Sequence, residues 1–213
     1  MKKEIILKDI FGRRLFTHSC EDNSLALTLQ IAVNKHIDLS NIDLNGADIP
    51  YLNLSNTNFA NADFSNACLQ GCTFNNCILG NANFQNANLD DTTFTNSFLD
   101  RAKFNNADIF FARFTDCHCC SVNMSGANID KTDFLNCLMI SCVADSASIV
   151  ITNFISCKLN QSNITNTNIE DSVFSGCEIS KDDFVNCNLK LTTFEYCKES
   201  EKNCDNSVTT FAE

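Results

Sequence analysis

A five-residue repeat runs through most of this 213-residue chain. Between residues 39 and 194, 30 of the 32 positions whose numbers end in 4 or 9 hold Leu, Ile, Phe or Met. Two residues earlier, 28 of the 32 positions hold Ala, Cys, Ser, Thr or Val. The exceptions are Cys119 and Ala144 in the first set, and Ile37, Ile42, Leu52 and Asp182 in the second. Because the register never shifts, the fold must place one large and one small side chain inward in every five residues.

A period of five fits neither the 3.6-residue period of an α-helix nor the two-residue period of a strand. It fits a chain that turns a corner every five residues. The small and large residues are two positions apart, so they share the inward side of a short extended segment. The chain has six Gly and one Pro, too few for this many corners. Asn, Asp and Ser must therefore form most of the turns.

Units such as Ala47-Asp48-Ile49, Ala62-Asp63-Phe64 and Ala87-Asn88-Leu89 resemble the A(D/N)Lxx signature of the pentapeptide-repeat family. The resemblance implies an all-β solenoid, a right-handed quadrilateral β-helix with four pentapeptides in each coil. The 32 units then form eight coils. With about 4.8 Å between paired strands, the rod would be on the order of 38 Å long.

A second period of 20 residues supports four-sided coils and predicts two side-chain ladders inside the rod. One is a ladder of phenylalanines and the other a ladder of cysteines. Their members are Phe74, Phe94, Phe114, Phe134, Phe154, Phe174 and Phe194, and Cys117, Cys137, Cys157, Cys177 and Cys197. Asn residues recur at corners with the same period, as in Asn56, Asn76 and Asn96, and predict hydrogen-bonded amide stacks.

The two ends of the chain depart from the repeat. Residues 4–19 predict a hairpin that turns near Gly12, and residues 24–35 predict a helix that follows Asn23. Together, residues 1–36 are interpreted as a cap on the first coil, because an open solenoid end exposes backbone and core. The solenoid occupies 37–197. Residues 198–213 form a tail for which capping, dimerisation and mobility are all open.

The fourteen cysteines are interpreted as packing residues rather than as chemistry. Nine of them occupy the small inward position. In Cys117-His118-Cys119-Cys120 the register points the first and third residues inward and the other two outward, so the four cannot converge on one tetrahedral ion. A secreted disulfide scaffold is the alternative, but we find no signal-peptide core or membrane span and expect a cytoplasmic protein. No cofactor, metal site or catalytic constellation is predicted, so the chain is not expected to be an enzyme.

Acidity is the first functional clue. Residues 37–197 carry 18 Asp or Glu and 7 Lys or Arg. Direct nucleic-acid binding is therefore not expected, because phosphate contacts need Lys and Arg. A partner with a basic surface is expected instead, although Asp at these positions could also be the default solvating residue of the repeat. The stretch 37–100 has no basic residue, and its carboxylates are the candidate acidic surface: Asp38, Asp43, Asp48, Asp63, Asp90, Asp91 and Asp100.

Outward apolar residues in the C-terminal half are the second clue, because clustered apolar groups at a surface mark contact sites. The candidate apolar surface consists of Phe110, Phe111, Leu135, Leu138, Ile140, Val143, Val150, Ile151 and Ile155. We expect a partner, or a second copy bound through the C-terminal half or the tail, to contact it.

The leading hypothesis is a non-catalytic binding protein that presents an acidic rod. The family resemblance implies a sharper version, a DNA mimic that binds DNA gyrase or topoisomerase IV. Two features depart from the gyrase-protecting members: the unbroken register without loops, and the extension of residues 1–36. The alternative is a bacterial, phage-borne or secreted regulatory scaffold that binds another protein through its apolar surface.

Overall fold

The chain forms a four-sided rod of stacked coils, as predicted. The structure is a computed structural model that describes residues 2–199, apart from the side chains of residues 181 and 182. Successive coils pair in parallel at a separation of twenty residues; for example, Asp43 pairs with Asp63, and Asp63 with Asn83. The N–H of Phe64 donates to the carbonyl oxygen of Asn83 at 2.7 Å, one of a continuous series of such bonds. These bonds confirm four pentapeptides per coil.

The N-terminal hairpin and helix are also confirmed. Strands β1 (Lys3–Lys8) and β2 (Arg14–Cys20) pair antiparallel, and Gly12 at their turn has a φ of +81°. Helix α1 spans Leu25–Asn34. The hairpin continues the rod, since the N–H of Asp43 donates to the carbonyl oxygen of Lys8 at 3.0 Å.

The helix begins one residue later than predicted. Ser24 is its N-cap, and its hydroxyl accepts the N–H of Leu27 at 3.1 Å. Asn23 instead donates to the backbone carbonyls of Lys3 and His18, at 3.2 and 2.9 Å, and thereby ties the helix to both strands. The hydrogen bonds to the hairpin therefore take the Asn23 side chain away from the cap.

Four faces follow one another around each coil, named here by their inward residues. Face 1 contains Phe94, face 2 Leu99, face 3 Phe104 and face 4 Ile109. Face 1 is a parallel sheet of short strands: β3 (Thr73–Asn75), β4 (Thr93–Thr95), β5 (Arg113–Thr115), β6 (Asp133–Leu135), β7 (Asn153–Ile155), β8 (Val173–Ser175) and β10 (Thr193–Glu195).

A second, shorter pairing joins β9 (Glu178–Ile179) to β11 (Lys198–Glu199) in parallel on face 2. The first two residues of the predicted tail therefore continue the coil. Residues 200–213, for which a tail function was left open, lie outside the described residues.

The corners are four-residue turns whose third residue is left-handed. At one of them the N–H of Ala62 donates to the carbonyl oxygen of Phe59 at 3.0 Å, and Asn61 has a φ of +57°. This is the pattern of a type II turn, which favours Gly or Asn at that place. Asn side chains also stack along two edges as predicted, with Asn76 donating to Asn56 and Asn86 to Asn66, both at 3.1 Å.

The corner at residue 181 is an exception within the described chain. Residues Lys181–Phe184 form a 3₁₀ turn, and the carboxylate of Asp183 accepts the N–H of Ser180 at 3.0 Å. Asp183 is 2% exposed. The sequence predicted an inward carboxylate at Asp182, whose side chain is not described. The buried carboxylate that is described here, Asp183, is held by a backbone donor.

The core is built from two ladders of phenylalanine rather than one. The predicted face 1 ladder is confirmed, with ring centroids 4.6 to 5.1 Å apart from Phe74 to Phe194. On face 3, Phe64, Phe84 and Phe104 form a second stack, with centroids 4.9 and 4.8 Å apart. The two stacks meet edge to face, a favourable ring geometry. Stacked side chains make the rod a rigid support for its outward residues.

Candidate protein-interaction surface

Asp and Asn just before each large inward residue have a structural function. The Oδ1 atom of Asp63 accepts the N–H of Ser65 at 3.0 Å and the side-chain amide of Asn83 at 3.1 Å. Asn83 in turn accepts the N–H of Gln85 at 3.2 Å. Both residue types supply the same acceptor oxygen to the turn. This explains why both Asp and Asn occur at this position of the repeat.

The candidate acidic residues all lie at outward positions and are exposed or half-buried. They are spread around the rod rather than gathered on one face. Face 2 carries Asp38 and Asp100, face 3 carries Asp43 and Asp63, face 4 carries Asp48, and the edge between faces 4 and 1 carries Asp90 and Asp91. The surface is therefore a band of negative charge around the N-terminal coils.

Asp90 is in the most repulsive surroundings of this set. Burial and the carboxylates of Asp108 and Asp91 raise its pKa above the ordinary aspartate value. Its Oδ1 atom is buried without a hydrogen-bond partner. A cation approaching Asp91 and Asp108 would relieve this repulsion.

The candidate apolar residues divide into groups on different faces. Phe110, Phe111, Val150 and Ile151 lie along the edge between faces 4 and 1. Leu135 and Ile155 are paired neighbours on β6 and β7 of face 1. The other members are Leu138 and Ile140 on face 2, and Val143 on face 3. The edge group is the one that combines aromatic and aliphatic pairs.

The two phenylalanines of the edge group contact each other and a lysine. Their ring centroids are 4.3 Å apart. The Nζ atom of Lys131 lies 4.9 Å from the centroid of Phe110 and 5.1 Å from that of Phe111. Phe111 remains 52% exposed and Ile151 49% exposed, so both present apolar surface to solvent.

The same edge also carries unusual backbone conformations. Tyr51, Phe111, Ile151 and Leu191 all have a positive φ there, and Tyr196 does so on the next edge. Large and β-branched side chains disfavour this conformation. Large side chains therefore occupy this edge against the local backbone preference.

Sequence reasoning missed an apolar row on face 2. Ile78 and Phe98 are 50% and 52% exposed. Ile78 pairs with Phe98, Phe98 pairs with His118, and His118 pairs with Leu138, each one coil later. The rings of Phe98 and His118 lie 5.1 Å apart. The five-residue pattern does not constrain outward residues, so it could not predict this row. A comparison of outward residues at a spacing of 20 would have revealed it.

The predicted cysteine ladder lies inside the rod as far as Cys177, whereas Cys197 in the last coil is half-buried. Cys117, Cys137, Cys157 and Cys177 are buried, and each thiol donates to the carbonyl oxygen of a phenylalanine in the preceding coil, as Cys117 does to Phe94 at 3.4 Å. Burial raises the pKa of Cys72 and Cys77 to about 11. The thiols of Cys72 and Cys77 are therefore protonated packing groups at neutral pH.

The Cys117–Cys120 segment has the predicted alternation. Cys117 and Cys119 are buried, whereas His118 is exposed and Cys120 half-buried. Among residues 2–199 with described side chains, no group of three or more His, Cys, Asp or Glu could hold a metal ion. Over the same residues, no helix is both long and apolar enough to cross a membrane.

Comparisons with solved structures recover proteins of the same repeat type. Full-length QnrB1, a plasmid-mediated fluoroquinolone resistance protein, aligns at 20% identity over 74% of this chain and 91% of that chain, with a TM-score of 0.48. HetL from the cyanobacterium Nostoc sp. strain PCC 7120, involved in heterocyst differentiation regulation, aligns at 18% identity over 74% and 84%, with a TM-score of 0.28. A comparison with curated protein sequences finds no match.

Two family models match the solenoid. The model for the pentapeptide repeat region matches residues 67–141. The model for pentapeptide repeats in eight copies matches residues 37–76 and 152–194. Together the two matches span most of the rod and more than half of the chain. The chain therefore belongs to the pentapeptide-repeat family.

Proposed function

We propose that this chain is a non-catalytic binding protein whose acidic rod engages a protein with a basic surface. One observation carries the proposal. Residues 37–100 have seven carboxylates and no Lys or Arg, and all seven carboxylates are at outward positions. Unneutralised charge on a rigid support steers an oppositely charged partner toward it.

The cations of the later coils do not offset this charge. Three of them are paired with carboxylates one coil away, at nitrogen–oxygen distances of 3.4, 3.2 and 2.5 Å. The pairs are Arg113 with Asp133, Lys158 with Glu178, and Lys190 with Glu170. Residues 37–100 therefore carry a net charge of −7, whereas residues 101–197, with 11 acidic and 7 basic residues, carry −4.

The sharper form of the proposal is a DNA mimic that occupies the DNA-binding surface of a type II topoisomerase such as gyrase or topoisomerase IV. Its support is the acidity of the rod and the resemblance to gyrase-binding members of the family. We place the protein in the cytoplasm, where its thirteen described cysteines would remain free thiols.

A gyrase supercoiling assay with the purified full-length protein tests this form. Inhibition or protection at micromolar protein is expected. The triple variant Asp43→Asn, Asp48→Asn, Asp63→Asn should weaken the effect, because it removes charge but keeps the acceptor oxygens. Asn stands naturally at 83 and 88, in the same two rows, so the variant should melt like the wild type. No effect of the wild-type protein on supercoiling would exclude the topoisomerase form.

A second candidate is a scaffold that binds a protein through its apolar surface. The exposure of Phe111, Ile151 and Ile155 favours it. The double substitution Phe110→Ser and Ile151→Ser should then abolish capture of a partner identified from the native host, with the fold intact. Under the charge-driven proposal the triple Asn variant should instead weaken capture, and added salt should weaken it for the wild type. A captured partner that is insensitive to all of these changes would contradict both candidates.

A further inference from the structure

The edge between faces 4 and 1 carries a ladder of paired side chains with a regular order. It is called the edge ladder here, and its rungs are Asp90/Asp91, Phe110/Phe111, Asp130/Lys131, Val150/Ile151 and Glu170/Asp171. Hydrogen bonds between coils hold the rungs in register. In each of the first four rungs, the N–H of the second residue donates to the carbonyl oxygen of the first residue of the next rung. The distances are 3.0, 3.3, 2.8 and 2.9 Å for Asp91, Phe111, Lys131 and Ile151.

The middle rung is engaged within the protein itself. Lys131 lies over the two phenylalanine rings. Asp130 accepts the N–H of Val150 at 2.9 Å and the hydroxyl of Ser148 at 2.7 Å. From the Asp90 end, the rungs of the edge ladder are therefore acidic, apolar, one of mixed charge, apolar and acidic.

The two terminal rungs differ in the amount of negative charge that they present to a partner. Asp90 and Asp91 lie beside Asp108, so three carboxylates repel one another at that end. At the other end, Glu170 is paired with Lys190 at 2.5 Å, which leaves Asp171 exposed as the main charge of that rung. A partner should therefore place more positive charge at the Asp90 end.

The spacing of the rungs matches an α-helix laid along the rod. The stacked rings of face 1 are 4.6 to 5.1 Å apart from coil to coil. Two coils between apolar rungs are about 10 Å, and four coils between acidic rungs are about 19 Å. Seven helical residues rise about 10.5 Å, and thirteen rise about 19.5 Å. A helix with two apolar residues seven positions apart would meet both apolar rungs, and cations three or four residues outside them would reach the acidic rungs.

Resting on the protein-binding function proposed above, we infer that the edge ladder docks a basic amphipathic α-helix of a partner protein. The helix lies parallel to the rod axis. Its two apolar residues, seven positions apart, contact the Phe110/Phe111 and Val150/Ile151 rungs. Its Lys or Arg residues face Asp90 and Asp91 at one end and Asp171 at the other.

Fluorescence anisotropy with a synthetic helix tests the inference on the full-length protein. The probe is a labelled Ala- and Gln-based peptide of about 20 residues, with two Leu seven positions apart and Lys three and four residues outside each Leu. One control peptide moves a single Leu to the opposite face of the helix. A second control keeps the composition but contains two central Pro, which prevent a helix. We expect saturable binding of the probe and at least about tenfold weaker binding of both controls.

Protein variants locate the contact. Phe111→Asn with Ile151→Asn should weaken probe binding at least about tenfold, and this variant should fold because Asn occupies twelve other left-handed corners of the described rod. Phe98→Asn, which removes an equally exposed ring from face 2, should leave binding unchanged. Unchanged binding by the edge variant would overturn the inference.

The control peptides separate the inference from the proposed function. Equal binding of all three peptides, weakened by salt and by the triple Asn variant, would refute the docked helix and support the acidic-rod proposal alone. No saturable binding of the probe would likewise refute the docked helix, and the gyrase and capture experiments would still decide the broader proposal.

Discussion

The hydroxyl of Ser97 donates to the carbonyl oxygen of Phe74 at 2.7 Å and accepts the N–H of Cys77 at 3.0 Å. The hydroxyl therefore bridges the Phe74 carbonyl and the Cys77 N–H, which would otherwise bond directly to each other in the four-residue turn. The same relay recurs where Ser162 joins Met139 to Cys142 and where Ser172 joins Ile149 to Thr152. Hydroxyls at the small inward position are therefore part of the turn.

Ser97→Ala should destabilise the rod, because it leaves a buried N–H and a buried carbonyl without this partner. We expect a loss of about 1–3 kcal/mol in the free energy of unfolding, measured by denaturant titration. Ser125→Ala is the control. The hydroxyl of Ser125 donates to Oδ1 of Asn123, and so does the backbone N–H of Ser125. The alanine variant loses the first bond but keeps the second. Equal losses in the two variants would contradict the relay.

The phenylalanine ladders predict a position-dependent cost of removing a ring. Phe94 stacks on two rings and meets Phe84 and Phe104 edge to face, at 6.1 and 6.3 Å. Phe134 also stacks on two rings. Its face 3 neighbours, however, are Met124 and Ala144, so it lacks the two edge-to-face ring contacts of Phe94. Phe94→Leu should therefore cost more than Phe134→Leu by at least about 1 kcal/mol, since each ring pair contributes roughly 0.5–1.5 kcal/mol.

The two leucine variants are compared by denaturant unfolding under the same conditions. Each removes the same number of atoms from a fully buried site in the same row, so the hydrophobic loss is matched. A difference near zero, or a larger loss at Phe134, would show that edge-to-face contacts between the two ladders do not stabilise the core.

Buried thiols predict that the rod is destabilised at alkaline pH. The pKa of Cys72 and of Cys77 is raised to about 11 in the folded chain. Below pH 9 both states keep these protons; between pH 9 and 11 the unfolded chain loses them first. Stability is therefore lost as pH rises, by on the order of 2 kcal/mol per thiol at pH 11.

The double variant Cys72→Thr and Cys77→Ser provides the control, because Thr92 and Ser97 stand at the same places one coil later. Thermal melting at pH 8 and pH 10.5 should show a smaller loss of stability in this variant than in the wild type. Identical pH dependence of the two proteins would show that these thiols are not shielded from ionisation.

Much of this architecture follows from periodicity alone. The 20-residue period predicted the Phe ladder of face 1 and the Cys ladder, because each inward position repeats the same packing environment, but the Phe64–Phe84–Phe104 stack of face 3 was not predicted. Contacts that break the repeat were not predictable. Asn23 is drawn from the helix cap by carbonyls of the hairpin, and the chain at 181–184 turns as a 3₁₀ segment. The Ile78–Phe98 row was missed because outward positions vary freely within the five-residue pattern.

The left-handed corners predict that two substitutions of opposite sense have opposite effects on stability. Ile151 has a φ of +56° and Ser146, one corner earlier, a φ of +59°. A β-branched side chain strains this conformation, whereas Asn adopts it readily. Ile151→Asn should raise the free energy of unfolding by about 1 kcal/mol, and Ser146→Ile should lower it by a similar amount. Both are measured by denaturant titration. A loss of stability in Ile151→Asn would mean that packing of the Ile151 side chain along its edge outweighs the backbone strain. The isoleucine would then need no binding function to explain it.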